Sequence, residues 1–230
     1  PRDAPIRNDR AYLVTGGLGA LGLHVGGWLV AQGAGQVVLL GRGAPSAEVK
    51  ARVTELGASV IVRRGDVSDS ASLAAALSGL AAPIGGVFHC AGVLDDALIA
   101  DQDEARIRRV LAPKVQGGWN LHTQLRDAPI DHFVLFSSVS SVLGSPGQTS
   151  YSAANAWLNG LASWRQSQGL PALSVAWGPW AEGGMAEQAA GKGRWSRVGI
   201  SPIEAARGVE LLGALRGRRP GPYQLQAAIA

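Results

Sequence analysis

The residues best suited to chemistry lie between Leu135 and Asn155. A buried-type apolar run leads into a Ser cluster, and Tyr151 follows after a turn segment rich in Gly and Pro. The cluster consists of Ser137, Ser138, Ser140 and Ser141. A hydroxyl at a strand end and a phenol one loop later could converge on one small acceptor. Because ligands of open α/β sheets bind outside the carboxyl ends of the strands, we expect the chemistry here.

A glycine-rich loop follows the first predicted strand, Ala11–Thr15. Gly17, Gly19 and Gly22 fit the spacing G-x-G-x-x-G between a strand and a helix. Glycines at these positions allow a tight turn and a close approach of the backbone to a pyrophosphate at the helix N-terminus. The loop therefore predicts dinucleotide binding, with a plain tight turn as the alternative.

Charged residues at the ends of the next two strands bear on the choice of cofactor. Arg42 follows the predicted strand 36–40, where NAD-binding proteins usually carry an acidic residue. An arginine suits the 2′-phosphate of NADP, and an exposed helix-capping residue is the alternative. Asp66 follows the predicted strand 59–63, where its carboxylate could accept from an adenine amino group or cap the next turn.

Several other polar residues are open to a structural interpretation. His89 and Cys90, at the end of the fourth predicted strand, are interpreted as core residues. Asp95 and Asp96 could do acid–base work, but consecutive side chains point in different directions, and a loop or capping role is the alternative. Lys114 lies in mid-helix, where periodicity alone predicts a solvated side chain.

The alternation of strands and helices predicts one doubly wound, Rossmann-type α/β domain with a mostly parallel sheet and helices on both faces. Four later strands are predicted at Ile84–His89, 132–136, 170–177 and 223–229. Helices are predicted at 46–56, 70–80, 103–126, 151–168 and 201–215, the long one kinked or restarted at Pro113 and the last one opened by Ser201 and Pro202. Residues 1–10 are predicted to be a linker, residues 11–230 the catalytic domain, and residues 181–198 a mobile lid within it.

Composition narrows the class of protein. Of 230 residues, 47% are hydrophobic and 17% charged, which is typical of a globular chain. No apolar run approaches the roughly 20 residues of a membrane span. The lone Cys90 excludes a disulfide framework and a multi-Cys metal site, and makes a reduced, cytoplasmic setting the default. The net charge of +4 comes without a basic run interleaved with aromatics, which argues against nucleic-acid binding.

The chain begins at Pro1, and its only Met is Met185. We therefore expect a piece of a longer polypeptide, or a processed one.

Six motifs, taken together, carry a resemblance to a known family. They are T-G-G-L-G-A-L-G at 15–22, H-C-A-G-V-L-D-D at 89–96, F-S-S at 136–138, P-G-Q at 146–148, Tyr151-x-x-x-Asn155, and W-G-P-W at 177–180. The chain resembles the short-chain dehydrogenase/reductases and, more narrowly, the catalytic half of a polyketide synthase ketoreductase, from about Ala11 to Ile229. The wider superfamily has Tyr-x-x-x-Lys. Here Asn155 takes the Lys position, and Lys114 matches the lysine that such ketoreductases carry on the preceding helix.

The resemblance implies NADPH-dependent reduction of a β-ketoacyl thioester carried on the phosphopantetheine arm of an acyl carrier protein. Ser138 would donate a hydrogen bond to the carbonyl oxygen and Tyr151 a proton. Lys114 would ease the movement of charge and hold the nicotinamide ribose, and Asn155 would orient a water or the lysine. The expected cofactor contacts are Thr15, Gly17, Leu18, Gly19, Gly22, Arg42, Asp66, Val67, Ala91, Gly92, Lys114 and Tyr151. The expected partners include neighbouring synthase domains and a structural ketoreductase half of similar fold.

The resemblance also implies a stereochemical outcome. The segment 93–96 resembles the Leu-Asp-Asp fingerprint of B-type ketoreductases, with Asp96 in its final position. A-type enzymes carry a Trp where this chain has Leu143. Epimerising enzymes carry a Pro where this chain has Ala153. A D-configured β-hydroxyl without epimerisation is therefore expected, with Asp96, Leu143, Gln148 and Met185 near the substrate.

Two alternatives to this function remain. A catalytically silent scaffold domain that binds NADP would be expected to lack the reactive Ser, Tyr or Lys, and all three are present. A free-standing short-chain reductase of small ketones or carrier-free thioesters is the other, against which the missing start Met weighs.

Overall fold

The computed structural model describes residues 4–181, 199–216 and 226–228. In this part of the chain seven strands form one sheet in the order β3-β2-β1-β4-β5-β6-β7, and every neighbouring pair is parallel. The strands are β1 Ala11–Thr15, β2 Gln36–Gly41, β3 Val60–Arg64, β4 Ile84–His89, β5 His132–Ser138, β6 Leu173–Trp177 and β7 Gln226–Ala228. The predicted doubly wound α/β fold is confirmed.

Helices connect the strands and cover both faces of the sheet. They are α1 Ala20–Ala31, α2 Ala47–Leu56, α3 Ser70–Leu77, α4 Glu104–Leu111, α5 Gly117–Leu125, α6 Ser140–Leu143, α7 Thr149–Ser167 and α8 Ala205–Arg216. A 3₁₀ turn lies at Ile99–Asp101, and a π-helical turn, Ala112–Gln116, separates α4 from α5.

The core has two halves, one on each face of the sheet. Tyr12 and Val14 of β1 face the half that includes residues of α1 and α8, while Leu13 faces the half built with α3, α5 and α7. Successive strand side chains point to opposite faces, so a strand covered on both sides reads as an uninterrupted apolar run. This explains why the strand positions were readable from the sequence.

The strand order reverses between β1 and β4, which makes the carboxyl ends of these two strands a topological switch point. The loops after both strands approach each other closely here. Gly16 has φ +65°, and a Cβ on it would lie 2.9 Å from the Cα of Ala91. Only glycine combines this conformation with this clearance. Ligand-binding crevices of open α/β sheets form at such points.

The last helix begins later than predicted. Ser201 and Pro202 were expected to open it, but α8 starts at Ala205. Ile203 instead forms a parallel bridge with Trp180, in which its N–H donates to the Pro179 carbonyl at 2.7 Å. Because this amide is bonded outside the helix, Ile203 precedes α8 and is not part of its first turn.

One other predicted segment differs from expectation in detail. Residues 4–10, within the expected linker, have no helix or strand, yet Ala4 and Ile6 are buried and Ile6 belongs to the core. Of the expected lid, only Ala181 is described, and residues 182–198 lie outside the described residues.

Candidate active site

Lys114 is buried in the structure, whereas its place in a helix predicts an exposed side chain. It lies in the π-helical turn after Pro113 and is only 2% exposed, so the solvated position predicted by periodicity alone is wrong. Its ammonium group donates to the Phe136 carbonyl at 2.8 Å and lies 5.7 Å from the centre of the Tyr151 ring. Burial lowers the pKa of Lys114 from 10.5 to about 8, which still leaves most molecules charged at pH 7.

Tyr151 and Ser138 meet at the carboxyl end of β5. Burial raises the pKa of the Tyr151 phenol above its ordinary value, while hydrogen bonds with the side chains of Asn155 and Ser138 lower it and the charge of Asp96 raises it. The Ser138 hydroxyl oxygen accepts from the Ser140 N–H at 3.2 Å. The hydroxyls of Ser138 and Tyr151 therefore lie next to each other at this strand end.

Asn155 lies one turn after Tyr151 on α7 and is fully buried. Its side-chain N–H donates to the Tyr151 carbonyl at 2.8 Å, and its main-chain carbonyl accepts from the Ser137 hydroxyl at 3.1 Å. Its side-chain oxygen has no hydrogen-bond partner among the described residues. These bonds fix the Asn155 side chain on α7 and leave one buried acceptor that could bind a water or a ligand.

The glycine loop fits a dinucleotide pyrophosphate. A Cβ on Gly17 would lie 2.8 Å from the Cα of Leu39, and a Cβ on Gly22 would overlap the Gly16 carbonyl oxygen. Helix α1 starts after Gly19 with no side-chain cap and no acidic residue in its first turn. Its first N–H groups and dipole therefore face outward without a competing anion, as an incoming phosphate requires.

The residues around this loop are placed as a nucleotide site needs. Thr15 is buried, with its hydroxyl 2.7 Å from His89 Nδ1 and accepting from the Ala91 N–H at 3.3 Å, so it joins the loops after β1 and β4. Leu18 lies against Gly41, where a Cβ would come within 2.6 Å of its side chain. Gly92 lies in the same loop as Ala91, half-buried.

Arg42 and Asp66 follow the carboxyl ends of β2 and β3. The Arg42 side chain is exposed, and its carbonyl accepts from Arg64 Nε at 3.1 Å, so two guanidinium groups share this edge. The Asp66 carboxylate accepts from the N–H and hydroxyl of Ser68, at 2.9 and 2.6 Å. The capping alternative for Asp66 is thus observed, and one of its oxygens makes both bonds.

The residues expected to control stereochemistry differ in burial and in their contacts. The Asp96 carboxylate accepts from the side-chain N–H of Gln148 at 3.1 Å, and Gln148 is only 5% exposed. Leu143 is 63% exposed on α6. Met185 lies outside the described residues.

His89 and Cys90 are core residues, as expected. His89 is fully buried, and burial together with the charge of Lys114 lowers its pKa to about 3. Burial raises the pKa of the Cys90 thiol. Neither group is therefore ionised near pH 7.

Three polar residues near the site were missed from the sequence. The Asn120 side-chain N–H donates to the carbonyl of Val67 at 3.0 Å and holds the loop that follows β3. Arg106 and Arg109 bind the carboxylate of Asp95. The sequence did contain a signal for the contact with Asp95. Two arginines three residues apart lie on one helical face, and two adjacent carboxylates lie in the preceding loop.

Two kinds of feature are absent from the part of the chain that the structure describes. Residues 4–181, 199–216 and 226–228 contain no group of three His, Cys, Asp or Glu arranged to hold a metal ion. Among the same residues, every helix is too short or too polar to cross a bilayer.

Comparison with known proteins agrees with this geometry. A model of the KR domain matches residues 10–182. A phenolphthiocerol/phthiocerol polyketide synthase polypeptide of Mycobacterium tuberculosis is 40% identical over 232 residues, which is 96% of this chain and 10% of that protein. Polyketide synthase GfsB of Streptomyces halstedii is 49% identical over 203 residues, 84% of this chain and 4% of that protein.

A solved structure of an A1-type ketoreductase superposes on the whole chain with a TM-score of 0.89 and 37% identity. This chain covers 49% of that structure, so it spans about half of the solved ketoreductase and a tenth or less of the two synthases. Ketoreductases of this superfamily are oxidoreductases that bind a nicotinamide cofactor, and the crevice at the switch point suits one. With its fold, its buried lysine and its Ser–Tyr pair, the chain belongs to the KR family, the ketoreductase domains of polyketide synthases.

Proposed function

We propose that this chain reduces a β-ketoacyl thioester, carried on an acyl carrier protein, to a D-β-hydroxyacyl thioester with NADPH, as part of a polyketide synthase. The observation that carries the proposal is the convergence of three groups on one point. Ser138 lies beside the Tyr151 phenol at the end of β5 and lowers its pKa, and the Lys114 ammonium group lies 5.7 Å from the centre of the phenol ring.

The three side chains divide the work at the substrate carbonyl. The Ser138 hydroxyl donates a hydrogen bond to the carbonyl oxygen and holds it beside the phenol. Tyr151 transfers its proton to that oxygen as negative charge develops there. Lys114, charged at pH 7, stabilises the phenolate left behind, because an opposite charge nearby favours the ionised form of a phenol. Asn155 offers its free side-chain oxygen to a water or to the lysine.

Four groups of residues would hold NADPH in the crevice. The uncapped start of α1 and the Gly17–Gly22 loop would hold the pyrophosphate. Arg42 would bind the 2′-phosphate, since no carboxylate of residues 41–47 competes for its guanidinium. Ala91 and Gly92 would lie against the ribose, and Lys114 and Tyr151 would bind the nicotinamide end. When bound there, NADPH would supply the hydride for the reduction.

The proposed partners follow from the size of the relatives. Both similar synthases are far longer than this chain, so neighbouring domains of a synthase, including a structural ketoreductase half, and an acyl carrier protein are proposed. Residues 11–230 would form the catalytic domain.

The D-configured product is proposed from the residues that line the cleft. Asp96 faces Gln148 beside the catalytic helix, and Leu143 stands where A-type enzymes carry Trp. The solved structure described above is an A1-type ketoreductase, so the stereochemical part of the proposal depends on these positions in this chain and not on that likeness.

A single substitution tests the chemistry. Tyr151→Phe removes only the hydroxyl and should slow reduction of a diketide N-acetylcysteamine thioester by about 10²–10⁴-fold, the usual contribution of a positioned acid. NADPH absorbance follows the rate, and NADPH binding should be nearly unchanged. Tyr12→Phe is the matched control, because that hydroxyl accepts from the Arg7 N–H in the core, away from the cleft.

Three outcomes would count against the proposal. Retention of most activity in Tyr151→Phe would remove Tyr151 as the proton donor. NADPH binding without any turnover would favour a silent scaffold domain. Faster reduction of a simple cyclic ketone than of the thioester would favour a free-standing type of reductase.

A further inference from the structure

The segment between β4 and the 3₁₀ turn, residues 90–98, lines one side of the cleft without helix or strand of its own. Its two adjacent carboxylates have different partners. Asp95 binds helix α4, whereas Asp96 binds Gln148 at the start of the catalytic helix. The position of Asp96 in the cleft therefore depends on what fixes the segment from behind.

Asp95 is held by two arginines of α4. Arg106 Nη2 lies 2.5 Å from one carboxylate oxygen, and Arg109 Nη1 lies 2.6 Å from the other. The Asp95 side chain is 13% exposed, Arg106 is 31% exposed and Arg109 is 62% exposed. Exposed ion pairs contribute little, so the Arg106 contact is the one with most effect on the segment.

Arg106 also reaches the next peptide unit. The nitrogen that binds Asp95 donates to the main-chain carbonyl of Asp96 at 3.1 Å. One guanidinium group thus fixes a carboxylate and the backbone of the residue that follows it. A planar, multiply donating guanidinium can do this, and a lysine ammonium group matches the same two acceptors less well.

On the opposite side, the segment is joined to the turn before Tyr151. The Asp96 carboxylate accepts from the Gln148 side chain, and the Ala97 N–H donates to the Gly147 carbonyl at 2.9 Å. These two hydrogen bonds fix the distance of Asp96 and Ala97 from the start of α7. The Gln102 side chain donates to the Ala97 carbonyl at 3.2 Å, and the Arg106 contacts fix the two residues before it, Asp95 and Asp96.

We propose that Arg106 is a positioning residue that holds Asp96 against Gln148 and so determines the side from which the acyl chain enters the cleft. The inference rests on the proposed reduction, and it concerns which face of the carbonyl is presented, not whether reduction occurs. Loss of Arg106 should release the segment, allow the acyl chain to enter from either side and leave the Ser138–Tyr151 pair in place.

The test compares Arg106→Ala with Arg108→Ala in the full chain. Arg108 is the matched control, because it lies on the same helix and pairs with the exposed Glu104. Two quantities are measured: the hydrogen-exchange rate of the Ala97 amide, and the ratio of D to L products from the diketide N-acetylcysteamine thioester by chiral chromatography. In Arg106→Ala we expect exchange about tenfold faster and a minor isomer about tenfold more abundant, which corresponds to about 1.4 kcal/mol. Arg106→Lys should recover part of both effects.

The outcomes separate this inference from the function on which it rests. A wild-type protein that does not reduce the thioester overturns the proposed function, and with it this role for Arg106. An active wild-type protein, with equal exchange rates and product ratios in Arg106→Ala and Arg108→Ala, overturns the role of Arg106 alone. The comparison uses the change in ratio and is valid whichever isomer the wild-type protein favours.

Discussion

The burial of Lys114 should make the protein less stable at neutral pH than a variant without this charge. Lys114→Met keeps a linear side chain of similar volume in the site and removes the ammonium group. The wild-type lysine is 2% exposed, with one hydrogen bond, to the Phe136 carbonyl. Charged groups lose hydration on burial, and a single carbonyl replaces only part of it.

The magnitude follows from the lowered pKa. A change from 10.5 to about 8 corresponds to about 3 kcal/mol, at about 1.4 kcal/mol per pH unit. Between these two values the unfolded chain binds a proton that the native protein does not, so the free energy of unfolding rises with pH in this window. Below pH 8 both states are protonated and the full cost is present. Loss of the hydrogen bond to Phe136 offsets about 1 kcal/mol of the gain in the Met variant.

Urea unfolding at pH 7 and pH 10 measures both effects. At pH 7, Lys114→Met should be more stable than wild type by about 2 kcal/mol, and by pH 10 the difference should fall by about 2.5 kcal/mol. Lys50→Met is the control, since the Lys50 side chain is exposed on α2 and stays hydrated, so it should follow wild type at both pH values. If Lys114→Met and wild type differed by the same amount at pH 7 and pH 10, the reasoning about burial would be refuted.

Two further predictions concern the cofactor. Arg42→Ala should raise KM for NADPH at least tenfold more than KM for NADH, and equal increases in steady-state assays would show that Arg42 does not bind the 2′-phosphate. Gly22→Ala should lower the free energy of unfolding by about 1–3 kcal/mol and weaken NADPH binding in a fluorescence titration, because its Cβ overlaps the Gly16 carbonyl. Gly160→Ala, with open space at its Cβ on α7, should be neutral or stabilising by up to about 1 kcal/mol. Equal urea midpoints for the two alanine variants would contradict the overlap.

Much of the fold could be predicted because each strand is buried on both faces. A strand such as β1 reads as a short apolar run between turn residues, and the glycine loop after it has a spacing with a physical purpose. The partners of individual loop residues could not be predicted in this way. Asp95 binds Arg106 of α4, and Asp96 binds Gln148. Both contacts join residues that are far apart in sequence.

The late start of α8, at Ala205, shows a similar limit. Pro202 is well suited to the first turn of a helix, and local sequence therefore favoured a helix there. The competing interaction is the bridge between Ile203 and Trp180, formed with a segment more than 20 residues away. Tertiary pairing of the backbone outweighed the local preference, which is weak by comparison.

The burial of Lys114 had a visible local signal, Pro113, but its structural consequence could not be predicted from the sequence. Pro113 has no amide hydrogen, so the regular helical hydrogen bond at that position is lost. The chain accommodates this with a π-helical turn, in which the Gly117 N–H donates to the Ala112 carbonyl five residues earlier. The extra residue in this turn changes the rotation of the side chains around the helix axis, so the 3.6-residue periodicity that predicted an exposed lysine no longer applies. The proline was the visible signal, and the consequence is a cation buried beside the Tyr151 ring, where its charge has most effect because little water screens it.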